Sequence, residues 1–342
     1  MQENNQNFNH IKVHTQYSIC EGAIKIDDLK KIFKENKIRS IGLSDTSNLC
    51  GALEFSETIS KVGTQPIIGT QINFRFKNQI GNIPLIAKNK LGYETILQLS
   101  SKSYLSNKDN LLPYCELEDL VKNPQGIIVL SGSVNSLSGY LYLKNKVQEI
   151  DELYSLLNKK FENNFYIEIQ RHNDVDEKSF ELKNLELSSK FNIPIIASQE
   201  VFYLDKDMYE AHDALVCIGE KTYINEKNRI SYSDQHYLKN SDEMAKLFAD
   251  LPEALTNNYN LPYRCSYRPT FSKPILIFSM SFAKGPNETL TAFLTVLPKP
   301  QPGTNRTPVS FKISSTNFPP SIPTFIHVYN PPSGSNTGSP RF

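Results

Sequence analysis

The chain has 342 residues, 37 Lys+Arg, 36 Asp+Glu and a formal net charge of +1. That length allows two or three domains, and 39% hydrophobic residues suffice for a sizeable core. Near-neutrality argues against binding nucleic acid through bulk charge alone. The longest apolar runs, such as Ile127–Leu130, are too short to span a bilayer, and residues 1–9 carry no signal-peptide pattern. Five scattered cysteines without a CxxC pair support neither a disulfide framework nor a zinc knuckle. A cytoplasmic setting is expected.

HIKVH at 10–14 alternates as a strand. Leu29, Ile32 and Phe33 follow helical spacing, with Asp27 as the expected N-cap. IRSIGLS (38–44) is a buried strand, and Asn48 is placed to cap a second helix that Gly63 stops. QPIIGTQINF gives a strand from Gln65, and a helix follows Gly92. GIIVLS (126–131) is a strand, Val147–Phe161 an amphipathic helix and FYIEIQ (165–170) a strand with alternating faces. Lys178–Phe191 is a helix, IPIIAS (193–198) a buried strand and Met208–Ile218 a helix. Repeated βα order predicts a parallel sheet with helical crossovers. About seven such units in some 250 residues favour a distorted βα barrel.

In a βα barrel, reactive groups gather where strands end. Those ends carry His14, Glu21, Asp45, His172 and Glu200. Imidazoles and carboxylates converging there are what a divalent-metal hydrolase needs, but five is a thin set. Lys12 and Arg171 would repel a cation. Asp45 also suits a helix cap, His172 a solvated loop and His212 helix packing.

HIKVHTQYSICEGA (10–23), IGLSDTSNLCGALEFSE (41–57), QPIIGTQ (65–71), LIAKNKLGYETILQL (85–99), GIIVLSG (126–132), FYIEIQRH (165–172), DMYEAHDALVCIG (207–219) and EMAKLFADLPEAL (243–255) follow in order. Together they resemble the N-terminal PHP (polymerase and histidinol phosphatase) domain of bacterial DNA polymerase III alpha subunits, over residues 8 to about 276. The resemblance implies a seven-stranded distorted barrel with a metal site. Here most ligand positions are altered: Lys12, Thr46, Gln71, Asn82, Ser133 and Phe202 stand where the family has ligands. His14, Glu21, His172 and Glu200 remain as vestigial metal candidates. Neutral amides, Phe and a lysine ammonium do not hold clustered cations. The expectation is a barrel without catalytic residues or a cofactor, with manganese or zinc only if the site still functions. Magnesium would belong to the family's palm domain, which has no counterpart in these residues. The implied partners are the holoenzyme subunits, above all the proofreading epsilon subunit, with DNA contacted only through the rest of alpha and no membrane. A stand-alone PHP phosphoesterase or 3'-5' exonuclease is the alternative.

The expected domains are a short tail (1–9), the PHP domain (10–276) and a low-complexity segment (277–342). Residues 281–342 hold five basic residues, one acid and eleven prolines, and half are Pro, Ser, Thr or Gly. Proline bars helices there. A poorly ordered tail, or one outside the family through a frame slip, is expected.

Overall fold

In the computed structural model the described residues are 8–105, 112–271, 277–284, 290–297 and 309–313. The chain divides into two compact units, Met1–Thr270 and Phe271–Phe342.

The first unit alternates strands and helices from β1 (Lys12–Val13) through α1 (Ile26–Glu35), β2 (Ser40–Thr46), α2 (Ala52–Ser60) and β3 (Gln65–Phe76). Then come β4 (Gln79–Ala87), α3 (Lys90–Leu105), β5 (Cys115–Glu116), α4 (Leu117–Lys122) and β6 (Ile127–Leu130). The remaining elements are α5 (Leu137–Leu143), α6 (Val147–Phe161), β7 (Phe165–Ile169), α7 (Glu177–Phe191), β8 (Ile195–Ala197), β9 (Glu200–Val201), α8 (Tyr209–Glu220), α9 (Ser241–Leu247) and α10 (Pro252–Arg264).

The ladder runs β8-β7-β6-β4-β3-β2-β1-β9, with β5 against β3. Its two ends are consecutive in sequence. Only Ser198 and Gln199 separate β8, paired to β7, from β9, paired to β1. One bent segment therefore closes a ring of seven strand positions, the distorted barrel expected from the sequence. The expected all-parallel order does not hold: β4 is antiparallel to both β3 and β6. Only Lys77 and Asn78 join β3 to β4, too short a link for a crossover, so the chain must double back.

Two caps also differ from expectation. Lys25, not Asp27, precedes α1, and Asp27 falls in its first turn. Gly51 precedes α2, while the Asn48 amide donates to the carbonyls of Tyr17 and Thr46, 2.9 Å each, and fixes the loop instead.

Strand alternation sorts the core into two layers. Outward residues such as Leu43, Ile68, Val129 and Ile167 pack with helix residues including Phe33, Phe55 and Leu153. Inside the ring, Ile67, Ile86, Ile128, Leu130, Tyr166 and Ile196 form a second cluster, joined by Ile11. Gly42 makes room there, because a Cβ on it would lie 2.5 Å from the Ile11 carbonyl oxygen. Leu261 and Cys265, at the end of α10, complete this cluster and close the base of the ring. Phe8 and Asn9, expected in the N-terminal tail, are buried, and Asn9 exchanges hydrogen bonds with Asn258 of α10.

In the second unit, β10 (Ile277–Lys284), β11 (Leu290–Leu297) and β12 (Val309–Ile313) form an antiparallel sheet in that order. No helix occurs among its described residues, as its prolines require. The rest of the tail lies outside the described residues.

Candidate functional site

Above the apolar layer the inward positions turn polar. Lys12 comes from β1, Gln71 from β3, Glu168 from β7 and Glu200 from β9, while His14 follows β1. All five are buried. The Lys12 ammonium lies between two carboxylates, 3.2 Å from Glu168 Oε1 and 3.5 Å from Glu200 Oε2. Gln170 Nε2 donates to Glu168 at 2.6 Å, and the Ser198 hydroxyl donates to the same carboxylate. Glu200 Oε1 is 2.9 Å from His14 Nε2 and also accepts from the Gln71 amide. Burial alone would raise the Glu200 carboxyl, but Lys12, His14 and Gln71 hold it well below the ordinary range. Burial alone would lower Lys12, and the two carboxylates outweigh it and raise it.

The vestigial candidates are only partly brought together. His14 and Glu200 touch. His14 Nδ1 faces Ser18 Oγ at 3.2 Å, so both its nitrogens are engaged. His172 has its Nδ1 on Glu177 at 2.9 Å, and its Nε2 accepts from the Glu200 backbone at 3.1 Å. Burial, then the adjacent His236, pushes His172 well below its ordinary value. Glu21 stands apart in the loop after β1, accepting from the Thr46 hydroxyl. Asp45 does not cap a helix. It accepts from Thr15 N at 2.7 Å and Ser18 Oγ at 2.9 Å, tying down that same loop. Asn82 and Ser133 make no hydrogen bond to the cluster. His212 packs, with its Nε2 on the Glu21 carbonyl at 2.8 Å.

Phe202 fills the space beside these groups. Its ring lies 4.5 Å from His14, 4.8 Å from Tyr232, 5.3 Å from His236 and 5.4 Å from His212. On the α7 side of Glu168, a cavity bordered by Gly132, Ser133, Glu177 and Phe180 holds about 10 Å³, at the lower limit for a single water.

Several of these residues were missed in the sequence. Glu168 had a signal: within FYIEIQ it shares the inward face with Tyr166. Asp174, Glu177 and His236 had none, because folding alone brings residues 172–177 against 236. His236 stacks on His172 at 4.0 Å with the planes 1° apart, and its nitrogens are taken by the Glu200 carbonyl and Asp174. Burial would raise Asp174, but the His236 hydrogen bond lowers it. Burial, then Asp174, raises Glu177 to about 7.

His172, Asp174 and His236 have ligand atoms within 4.8 Å of one another. A cation sits near the plane of each imidazole that binds it, and two parallel stacked planes offer no shared point. The His172 Nε2 lone pair is also taken by the Glu200 N–H, and both His236 nitrogens face acceptor oxygens. The donor set therefore does not fit a metal in this arrangement.

Residues 10–172 match the PHP domain family. This chain carries a PHP domain. It is 33% identical over 282 residues to the DNA polymerase III subunit alpha of Caulobacter vibrioides, covering 79% of this chain and 24% of that protein. The same subunit of Rickettsia bellii is 33% identical over 270 residues, covering 79% and 23%. The PHP domain is thus homologous to the N-terminal region of these alpha subunits, and the chain spans about a quarter of their length. Among solved structures, a two-domain Bacteroides vulgatus protein containing a predicted PHP-like metal-dependent phosphoesterase aligns with TM-score 0.38 and 12% identity. That alignment covers 86% of this chain and 77% of the other. No helix among the described residues is long and apolar enough to cross a membrane.

Proposed function

We propose that this chain is the PHP-domain portion of a replicative DNA polymerase III alpha subunit, serving as a scaffold and not as a metal hydrolase. The observation that carries the reading is the Lys12 ammonium, seated between Glu168 and Glu200 where the family pattern calls for a ligand histidine. A fixed cation at that point repels a second one and consumes the carboxylates that would bind it. DNA synthesis and nucleotidyl transfer belong, in this reading, to the longer protein, in the cytoplasm. The PHP surface would take part in holding the proofreading epsilon subunit, and co-elution of the two proteins tests that contact.

The catalytic question has a direct test. The purified chain is dialysed against manganese or zinc, its bound metal is measured, and it is assayed on single-stranded DNA and phosphate monoesters. The expected result is far less than one ion per chain and no turnover. Stoichiometric metal, with turnover lost in His14→Ala, would establish the phosphoesterase reading instead.

A further inference from the structure

The opposite end of the ring offers a different surface. The described residues include six arginines. Arg75, Arg171, Arg229 and Arg268 each pair with a carboxylate. Arg39 and Arg264 have no carboxylate partner among the described residues, and both lie at the base of the ring, Arg39 directly before β2 and Arg264 at the end of α10 next to Tyr263 in sequence. The Arg39 guanidinium sits over the Tyr263 ring, 3.7 Å from its centroid, and Tyr263 is 73% exposed. Arg264 bonds only neutral groups, the Tyr166 hydroxyl and Asn164 Oδ1 at 2.7 Å. Lys88 shares that Asn164 oxygen at 3.4 Å.

The backbone ties these residues into one surface. Gln65 N donates to the Arg39 carbonyl, and the Gln65 amide donates to the carbonyls of Pro262 and Cys265. Ser266 N donates to the Lys88 carbonyl. Lys37 and Lys61, both exposed, stand on the turns leading into β2 and β3, also without a carboxylate partner among the described residues. Glu35, Glu57, Glu94 and Glu253 are the acids nearest in sequence to Arg39, Lys61, Lys88 and Arg264, and none pairs with these cations; Glu57 pairs with Arg268 and Glu94 with Lys90.

We propose that this base binds single-stranded nucleic acid, with one base stacked on the open face of Tyr263 and phosphates held by Arg39, Arg264, Lys88 and the flanking lysines. Unpaired guanidiniums favour phosphate, and an exposed aromatic ring beside them favours a base over the side chain of an acidic protein. The chain is neutral overall, so the binding is local and does not follow from net charge. It uses none of the groups at the mouth and stands whether or not the scaffold reading does.

The test is fluorescence anisotropy of the whole chain with a labelled oligo(dT) of about 20 nucleotides across a salt series. Log affinity should fall with log salt by roughly 0.7 per phosphate engaged. Tyr263→Ala should weaken binding at least about fivefold, the lower end of a base-stacking contribution, while Tyr263→Phe keeps it. Arg39→Glu should weaken binding and flatten the salt slope. Lys77→Glu, on the β3–β4 hairpin, is the charge-matched control and should change little. Circular dichroism melts confirm that each variant is folded. Binding that ignores salt, a Lys77→Glu loss equal to Arg39→Glu, a folded Tyr263→Ala that binds as wild type, or equal affinity for polyglutamate would overturn the proposal.

Discussion

The two ends of the ring handle polar chemistry in opposite ways. At the mouth, Lys12, His14, Gln71, Glu168, His172 and Glu200 spend their hydrogen bonds on one another, on the neighbouring side chains of Ser18, Gln170, Glu177 and Ser198, or on backbone. At the base, Arg39, Arg264 and Tyr263 are left with neutral partners and open faces. A site that has lost its ligand must satisfy its own buried groups, since each unpaired one costs stability. A surface that keeps binding capacity need not do so. If both proposals hold, the contrast separates a relic from a working surface without appeal to which residue types are present.

The sharpest way to break that contrast is at Lys12. Lys12→Met leaves Glu168 and Glu200 facing each other in a buried site, and urea denaturation should show a loss of about 3–5 kcal/mol. Adding Glu168→Gln should return part of it. A double variant no more stable than the single would mean that the ion pairs are not what the lysine supplies.

A smaller effect is expected from His10, near the base, whose Nε2 donates to the Lys239 carbonyl at 2.7 Å while its Nδ1 is buried without a partner among the described residues. Burial pushes this imidazole down to about 4. The unfolded chain takes up that proton near 6.5, so its contribution is complete above pH 6.5 and is lost as pH falls towards 4. The loss is at most about 3 kcal/mol, and His10→Gln should flatten this part of the pH profile in urea melts. An unchanged profile would move the acid sensitivity elsewhere.

The smallest effect belongs to chelation. If Lys12 supplies the positive charge at the mouth, EDTA should leave the melting temperature within about 1 °C. A drop of several degrees would put a bound cation back into the folded state.

Much of the ring was legible in the sequence. Val147–Phe161 is a helix with the bounds its periodicity predicts, and GIIVLS and FYIEIQ lie where their apolar runs place strands. The reversal of β4 was not legible, because Lys77 takes a positive φ of 52° without a glycine to announce it. The capping box of α9, Asn240 with Glu243, carries a sequence signature that was overlooked. At the mouth, the resemblance located His14, Gln71, Phe202 and Glu200. It did not reveal Glu168, which matters only because Lys12 crosses the ring to reach it. Nor could spacing reveal the His172–His236 stack, since the partners lie 64 positions apart and meet only after the loop beyond α8 folds back.

The bend at Ser198 and Gln199 has a kinetic consequence. β1 is made well ahead of its partner β9, which follows nearly two hundred residues later. Until then β1 presents an open backbone edge to any strand in reach, and the last seam must form across a very long loop. Ring completion should therefore be the late, slow event in biogenesis, and the step most exposed to misassembly.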